Sequence, residues 1–393
     1  MKRFLLLSLL AALPCFALPC FGQNMQELIA KGKNAEKLSL TQRATEYYQQ
    51  ATQADPTAAE PYLHLGLLYE KQNHYGEAIA ALYQAVSLSD SIGDSIAALA
   101  NEHLAACFVD DGDFDGSKNG FIADSAELIR ITERAIELNS QSASAHATMA
   151  LIFNHQRKFM PASTWARKAI ALDTEYPRGY NTYGVILYNQ GKDNDAIKQF
   201  NQALTIAPHN DDAFYNLGVM HALRGNHETA LKYLREGLKQ NPRSVKLYYF
   251  MGIALIDRGN TQKAIECYKH IIQELDSTYT PAYNKLGSIY CKKGDYDQAI
   301  AYHGKAARIN PKDGESYKCL GKVYVDKGDY VKAIRNYQKA VLNSPRDHEI
   351  YLLMAQLYAA QGNTSREASS YKKAAKLGNP DAQAWMVKHG KKW

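Results

Sequence analysis

A small set of residues returns at a fixed interval along this chain, and that recurrence limits what it can fold into more than any other feature. Gly184, Gly218 and Gly252 stand 34 residues apart, and Gly287 and Gly321 repeat the interval after a slip of one residue. Ala196, Ala230, Ala264, Ala299 and Ala333 keep the same beat, as do Pro208, Pro242, Pro311 and Pro345. A period of this size specifies an array of one supersecondary unit, each copy burying its apolar face against its neighbours. Pro177 to Asn210 serves as the reference copy. Its first half is apolar at Tyr180, Tyr183, Val185, Ile186, Leu187 and Tyr188, its second at Ala196, Ile197, Phe200, Ala203, Leu204 and Ile206. Both follow the i, i+3, i+4, i+7 spacing of a helix about three turns long. Gly191 stands where the first helix must stop, in a position suited to a left-handed cap. Asp193 is expected to cap the second helix, and Pro208 to end it. Gly184 and Ala196 are small where paired helices approach closely, and Phe200 is large where a gap needs filling.

This pattern resembles the tetratricopeptide repeat family, whose copies carry an aromatic, Leu-Gly, Tyr, then Ala, an aromatic, Ala and Pro within one period. Gly314 to Pro345 matches throughout, with Tyr317, Leu320-Gly321, Tyr324, Ala333, Tyr337, Ala340 and Pro345. Pro281 to Pro311 matches except that His303 takes the place of the second aromatic. The resemblance implies an all-α fold, a right-handed superhelical solenoid of about ten antiparallel helix pairs with the first helix of each pair lining a concave groove. It also implies a protein that binds protein or peptide partners.

The period divides the chain. Residues 1–22 read as a secretory signal peptide, with Lys2-Arg3 before an apolar run broken by Pro14 and Pro19 and small residues before Gln23. The Gly-Gln junction is similar to that of exported proteins of the Bacteroidetes type. Residues 23–380 form the array, with repeats near 25–58, 59–92, 93–142, 143–176, 177–210, 211–244, 245–279, 280–313, 314–347 and 348–380, and residues 381–393 a capping helix and tail. The third repeat carries an insertion at 110–123, its turn about eleven residues longer than elsewhere, between helices expected over Ile96 to Phe108 and Asp124 to Leu138. The seventh is one residue longer, at Asp276 to Tyr279, and the tenth gains one in its turn, at Gly362 to Arg366. No later run is long and apolar enough to span a membrane.

Charge is uneven. Residues 24–245 carry 20 basic and 26 acidic side chains, and residues 246–393 carry 24 and 14. This suggests a polarised surface, and with no matching nucleic-acid module it does not suggest a nucleic-acid partner. Cys107, Cys267, Cys291 and Cys319 lack metal-ligand spacing and read as buried free thiols.

Two features carry candidate chemistry. In the third repeat, Asp111, Asp113 and Asp115 alternate around Gly112 like the start of a calcium loop, where alternate carboxylates converge on one hard cation. The glutamate such a loop needs at its twelfth position is Ile122. The other feature is the groove that the resemblance implies. It would be lined by Asn181 and Tyr188 in the fifth repeat, Tyr215 in the sixth, Lys246 and Tyr249 in the seventh, Asn284 in the eighth, and Lys318 and Lys322 in the ninth. Amides there would meet peptide backbone and lysines carboxylates. No nucleophile elbow, phosphate loop or H-E-x-x-H is present. The expected function is a non-enzymatic scaffold or adaptor in a bacterial envelope assembly. The competing expectations are a non-catalytic subunit of an envelope enzyme or secretion complex, and a calcium-responsive structural protein.

Overall fold

Gly191 adopts φ +74°, and the chain reverses there. Its amide donates to the Tyr188 carbonyl and that of Lys192 to the Leu187 carbonyl, both at 2.9 Å, closing one helix before the next begins. Gly225, Gly259, Gly294, Gly328 and Gly362 repeat this geometry. Three turns make the same reversal without glycine: Ser39, Asn73 and Arg157 carry φ of 57°, 59° and 58°. A side chain in the left-handed region costs about 1–2 kcal/mol, and Arg157 has no short polar group to ease it. Arg157→Gly is therefore expected to stabilise the fold by about 0.5–1 kcal/mol, after glycine's larger unfolded-state entropy is subtracted. A lower melting temperature in that variant would contradict the account.

The computed structural model describes residues 25–88, 94–114 and 124–393. They contain 21 α-helices and, among the described residues, no strand. The chain divides into two compact units, one ending at Ile206 and one beginning at Ala207. The first holds α1 (Met25–Lys37) with α2 (Thr41–Ala54), α3 (Ala59–Lys71) with α4 (Tyr75–Leu88), α5 (Asp94–Asp111) with α6 (Ser125–Leu138), α7 (Ala143–His155) with α8 (Phe159–Leu172), and α9 (Pro177–Asn189) with α10 (Asp193–Ile206). The second holds α11 (Asp211–Leu223) with α12 (His227–Gln240), α13 (Val245–Asp257) with α14 (Thr261–His270), α15 (Thr280–Lys292) with α16 (Tyr296–Ile309), α17 (Gly314–Asp326) with α18 (Tyr330–Asn343), α19 (His348–Ala360) with α20 (Thr364–Lys376), and the closing α21 (Pro380–Lys388). The leader expected over residues 1–22 lies outside the described residues.

Within each unit, each pair packs against itself and then against the next. First helices also touch the following first helix, as α5 does α7, α7 does α9, and α11 does α13. Within each unit this sets first helices side by side. The glycine at the eighth position of the first helix is what lets a pair close. A Cβ on Gly184 would stand 2.5 Å from Phe200 Cε1, and one on Gly321 would stand 2.3 Å from Tyr337 Cε1. Phe200 and Tyr337 are 1% and 0% exposed. His303 fills the same place against Gly287, so its ring is a core side chain at 1% exposure.

Several local expectations are corrected. The capping residue of the second helix is the one directly after the turn glycine: Asn260, Asp295, Asp329 and Asn363 each accept the backbone N–H three residues on. Asp193 is instead the first residue of α10. There its charge still favours the N-terminal end of the helix. The extra residue of the seventh repeat is not in the loop. After His270 the helix runs on through a π-helical turn, Ile271–Leu275, whose wider ring takes up one residue and keeps Ile271 and Ile272 buried. Asp276 N–H closes it on the Ile271 carbonyl at 2.7 Å. The tenth repeat gains nothing in its turn: Gln361, Gly362 and Asn363 match Lys327, Gly328 and Asp329, and Glu367 takes the position held by Ala333. Of the four free thiols among the described residues, only Cys107 and Cys267 are buried. Cys291 and Cys319 are half-buried and donate to Asp326 and Glu315.

Candidate partner-binding surface

The first helices of the second unit present an aromatic run. Tyr215 on α11 and Tyr249 on α13 hold the same repeat position one period apart. Phe250 links them, its ring 4.2 Å from Tyr215 and 5.3 Å, edge-on, from Tyr249. Tyr249 in turn meets Tyr279 at 5.6 Å and Tyr268 at 5.8 Å. Tyr279 directly precedes α15, in the loop that follows the π-helical turn. Tyr215, Tyr249, Phe250 and Tyr279 are all half-buried, so each is fixed by its neighbours while part of its ring stays accessible. Burial raises the pKa of Tyr215 and Tyr249 and pushes that of Tyr279 up to about 12, which keeps the phenols neutral donors. The Lys246 ammonium sits 4.5 Å from the centre of the Tyr215 ring and pairs with Asp212, one period earlier. The sequence marked Tyr215, Lys246 and Tyr249. It missed Asp212, Phe250 and Tyr279, although the 34-residue separation of Asp212 and Lys246 was a legible signal that the two meet across neighbouring repeats.

The residues expected to carry the polar part of the groove are committed elsewhere. Asn284 donates to Ser316 at 3.0 Å and to Asp313 at 3.3 Å, and its oxygen lies 3.0 Å from His303 Nδ1. Burial lowers the His303 pKa to about 4, against the opposing pull of the Asp313 carboxylate. Lys318, with its side chain 11% exposed, lies 3.0 Å from Asp347 and 2.6 Å from Glu349. Lys322 takes the other oxygen of Glu349 at 2.9 Å. Burial works against the Lys318 charge, but the hydrogen bonds it donates to Glu349 and Asp347 more than offset it and raise its pKa. Glu349 is held down to about 2 by the same two lysines. These groups join α17 to α19, and the acids were missed because nothing in the repeat register says which neighbour a long side chain will choose. Lys318→Met is expected to cost about 1–2 kcal/mol, discounted for the partial exposure of Glu349. A variant with unchanged denaturant midpoint would show the pairing to be merely superficial.

In the first unit Asn181 is buried at 6% exposure, and Tyr188 is half-buried beside Asn189, whose amide donates to Asn154 at 3.0 Å. Within the second unit the structure thus brings Tyr215, Lys246 and Tyr249 together and does not add Asn284, Lys318 or Lys322 to that cluster; Asn181 and Tyr188 belong to the first unit.

The acidic segment begins as an ordinary repeat turn. α5 runs three residues beyond Phe108, so Asp110 and Asp111 are helical. Gly112, at φ +74°, is the left-handed cap. Gly112-Asp113-Phe114 corresponds to Gly294-Asp295-Tyr296, and the insertion follows Phe114 rather than starting at 110. Phe114 stacks on His155 at 4.0 Å. Asp110 is gripped by both terminal nitrogens of Arg178, at 2.8 and 3.1 Å, two repeats on. Asp113 is 1% exposed, and Asp115 lies outside the described residues. Among the described residues, no three His, Cys, Asp or Glu side chains are gathered as a metal site.

Family models agree with this geometry. One described as TPR repeat matches residues 184–223 and 321–362. Two described as tetratricopeptide repeat match residues 277–341, and residues 29–91 and 224–279. The chain is built of tetratricopeptide repeats. Tetratricopeptide arrays typically serve as protein–protein interaction scaffolds and are generally non-catalytic. The crystal structure of yeast Tom70 is similar in fold, with a TM-score of 0.55 and 13% identity over 93% of this chain and 94% of that one. A tetratricopeptide repeat protein from Parabacteroides merdae ATCC 43184 aligns at 22% identity and a TM-score of 0.46, covering 63% of this chain and 98% of its own. A probable UDP-N-acetylglucosamine–peptide N-acetylglucosaminyltransferase, SPINDLY of Hordeum vulgare, is 27% identical over 148 residues, which is 38% of this chain. The match spans 15% of that relative's length.

Proposed function

We propose that the protein is a non-enzymatic scaffold that holds a protein or peptide partner against the first helices of its second unit, in an envelope assembly of the bacterium that exports it. The observation that supports this reading most is the half-exposed run Tyr215–Phe250–Tyr249–Tyr279. Rings held on packed helices offer broad contact area at little entropic cost. Because Lys246 and Lys318 are already compensated by Asp212, Asp347 and Glu349, the surface rewards apolar and aromatic segments rather than an acidic chain end. The partner expected is an extended, largely uncharged segment, with phenol hydroxyls available for its backbone. Export rests on the reading of residues 1–22 as a leader. Fractionation of the producing cell, with sequencing of the mature N-terminus, checks it; a chain retained inside with Met1 intact would remove the envelope role and leave the scaffold reading untouched.

A photoreactive side chain placed at Tyr215 or Tyr249 in intact cells is expected to give a discrete crosslinked species, and one at Tyr180 in the first unit is not. Tyr215→Ala with Tyr249→Ala should weaken the crosslinked partner's binding by about tenfold or more. The same set of partners, retained at the same strength by the double variant, would overturn the assignment of this surface.

A further inference from the structure

The basic excess of the second half lies on the second helix of each pair. The first helices α15, α17 and α19 carry four basic and three acidic residues, and the second helices α16, α18 and α20 carry nine and two. One of those two acids, Asp297, is already held by Lys327 at 2.7 Å. α18 has no acidic residue at all. Its buried side is Ala333, Ile334, Tyr337 and Ala340. The stripe opposite reads Val331, Arg335, Gln338, Leu342, all exposed, and extends about 16 Å at the rise of a helix. Val331 is 66% exposed and Leu342 is 81% exposed. Lys339 flanks that stripe, as does Lys332, which pairs with the N-cap Asp329 at 2.9 Å, and Lys305 on α16 and Lys372 on α20 are exposed.

We infer that this outer face of the second unit binds the surface of an anionic lipid bilayer. Two independent features converge on it. A cluster of cations with almost no acids is drawn to a negatively charged leaflet, each contributing within a Debye length of the surface. Apolar side chains standing out from the same face gain by entering the boundary between headgroups and acyl chains. A soluble polyanion would use the lysines and arginines but give Val331 and Leu342 nothing to bury against. The face lies on the second helices, away from the aromatic run on α11 and α13, so membrane contact leaves the scaffold surface unoccupied. This inference is separate from the proposed partner binding and survives its failure.

Co-sedimentation of the purified protein with phosphatidylcholine vesicles, with and without phosphatidylglycerol, tests it. Binding is expected only when the anionic lipid is present, and it should fall as salt is raised. Arg335→Glu with Lys339→Glu should reduce binding about a hundredfold, since two attractions become two repulsions. Val331→Ser with Leu342→Ser, which keeps every charge, should reduce it about tenfold. All four positions are exposed, and apart from the contact of Lys339 with the Tyr317 ring at 5.3 Å nothing is lost, so circular dichroism should match that of the unaltered protein and melting should shift only slightly. Tyr215→Ala with Tyr249→Ala should leave vesicle binding unchanged. Three outcomes would overturn the inference: no sedimentation with anionic vesicles, equal sedimentation with neutral ones, or full binding by the Val331→Ser, Leu342→Ser variant with equal affinity for heparin. The last would assign the face to a soluble polyanion.

Discussion

Gly184→Ala will destabilise the protein by about 2–3 kcal/mol, although alanine is the better helix former. The added methyl would stand 2.5 Å from Phe200 Cε1 and 2.8 Å from its Cδ1. The ring is 1% exposed and has nowhere to retreat, so α9 and α10 must part. Gly304→Ala is the matched control. Gly304 lies inside α16 with open space where its Cβ would go, its nearest neighbour being the flexible end of Arg308 at 3.7 Å. That substitution should stabilise by about 0.5–1 kcal/mol through helix propensity alone. Gly218 faces Leu234 rather than an aromatic, and a Cβ there would sit at 3.0 Å. Phe200→Leu added to Gly184→Ala should therefore recover part of the loss, giving a favourable coupling in a double-mutant cycle. Urea denaturation of these three variants and of Phe200→Leu alone decides the matter; equal and small effects at Gly184 and Gly304 would refute close helix approach as the reason for the recurring glycine.

The second large effect is on acid stability and belongs to His303. Burial holds its pKa near 4, against 6.5 for a free imidazole, so the folded chain keeps it neutral where the unfolded chain takes up a proton. The folded value is the lower one, so the unfolded state binds more protons between those pH values and stability falls as pH drops from 6.5 towards 4. Below that window both states are protonated and His303 contributes no further loss. From pH 7 to about pH 4.5 the cost is about 2 kcal/mol. Carboxylates such as Glu349, held down by Lys318 and Lys322, add their own loss as pH falls, so the readout is a difference. His303→Phe puts in the aromatic that other repeats use against this glycine, as Phe200 does against Gly184. Its stability should fall by about 2 kcal/mol less than that of the unaltered protein over the same range. Parallel curves for the two proteins would show that His303 does not titrate with unfolding.

The two predictions mark where sequence reading succeeds and where it stops. Gly184 and Phe200 could be paired from their spacing alone, because a small residue recurring opposite a large one has one use in a packed helix pair. His303 was visible as a departure from that pattern, but not its link to Asn284, Ser316 and Asp313, which depends on how α15, α16 and α17 meet. The π-helical turn at Ile271–Leu275 was visible only as one surplus residue. Whether a surplus residue goes into a loop or a helix is decided by which choice keeps Tyr268, Ile271 and Ile272 buried.

The candidate site was half legible for the same reason. Tyr215, Lys246 and Tyr249 sit at repeat positions that the period assigns to the first-helix face, and the structure gathers them. Asn284, Lys318 and Lys322 sit at comparable positions and are spent on the next repeat. A long polar side chain takes whatever carboxylate the neighbouring helix places within reach, which is a property of three helices and not of one. The sequence by itself determined the helix pairs, their glycine turns and the close approach within each pair, because these follow from periodicity and steric size. The tertiary structure decided which polar groups are already partnered, that the basic excess of the second unit faces outward on α16, α18 and α20, and which aromatic rings remain open, because burial and pairing exist only once neighbouring repeats are in contact.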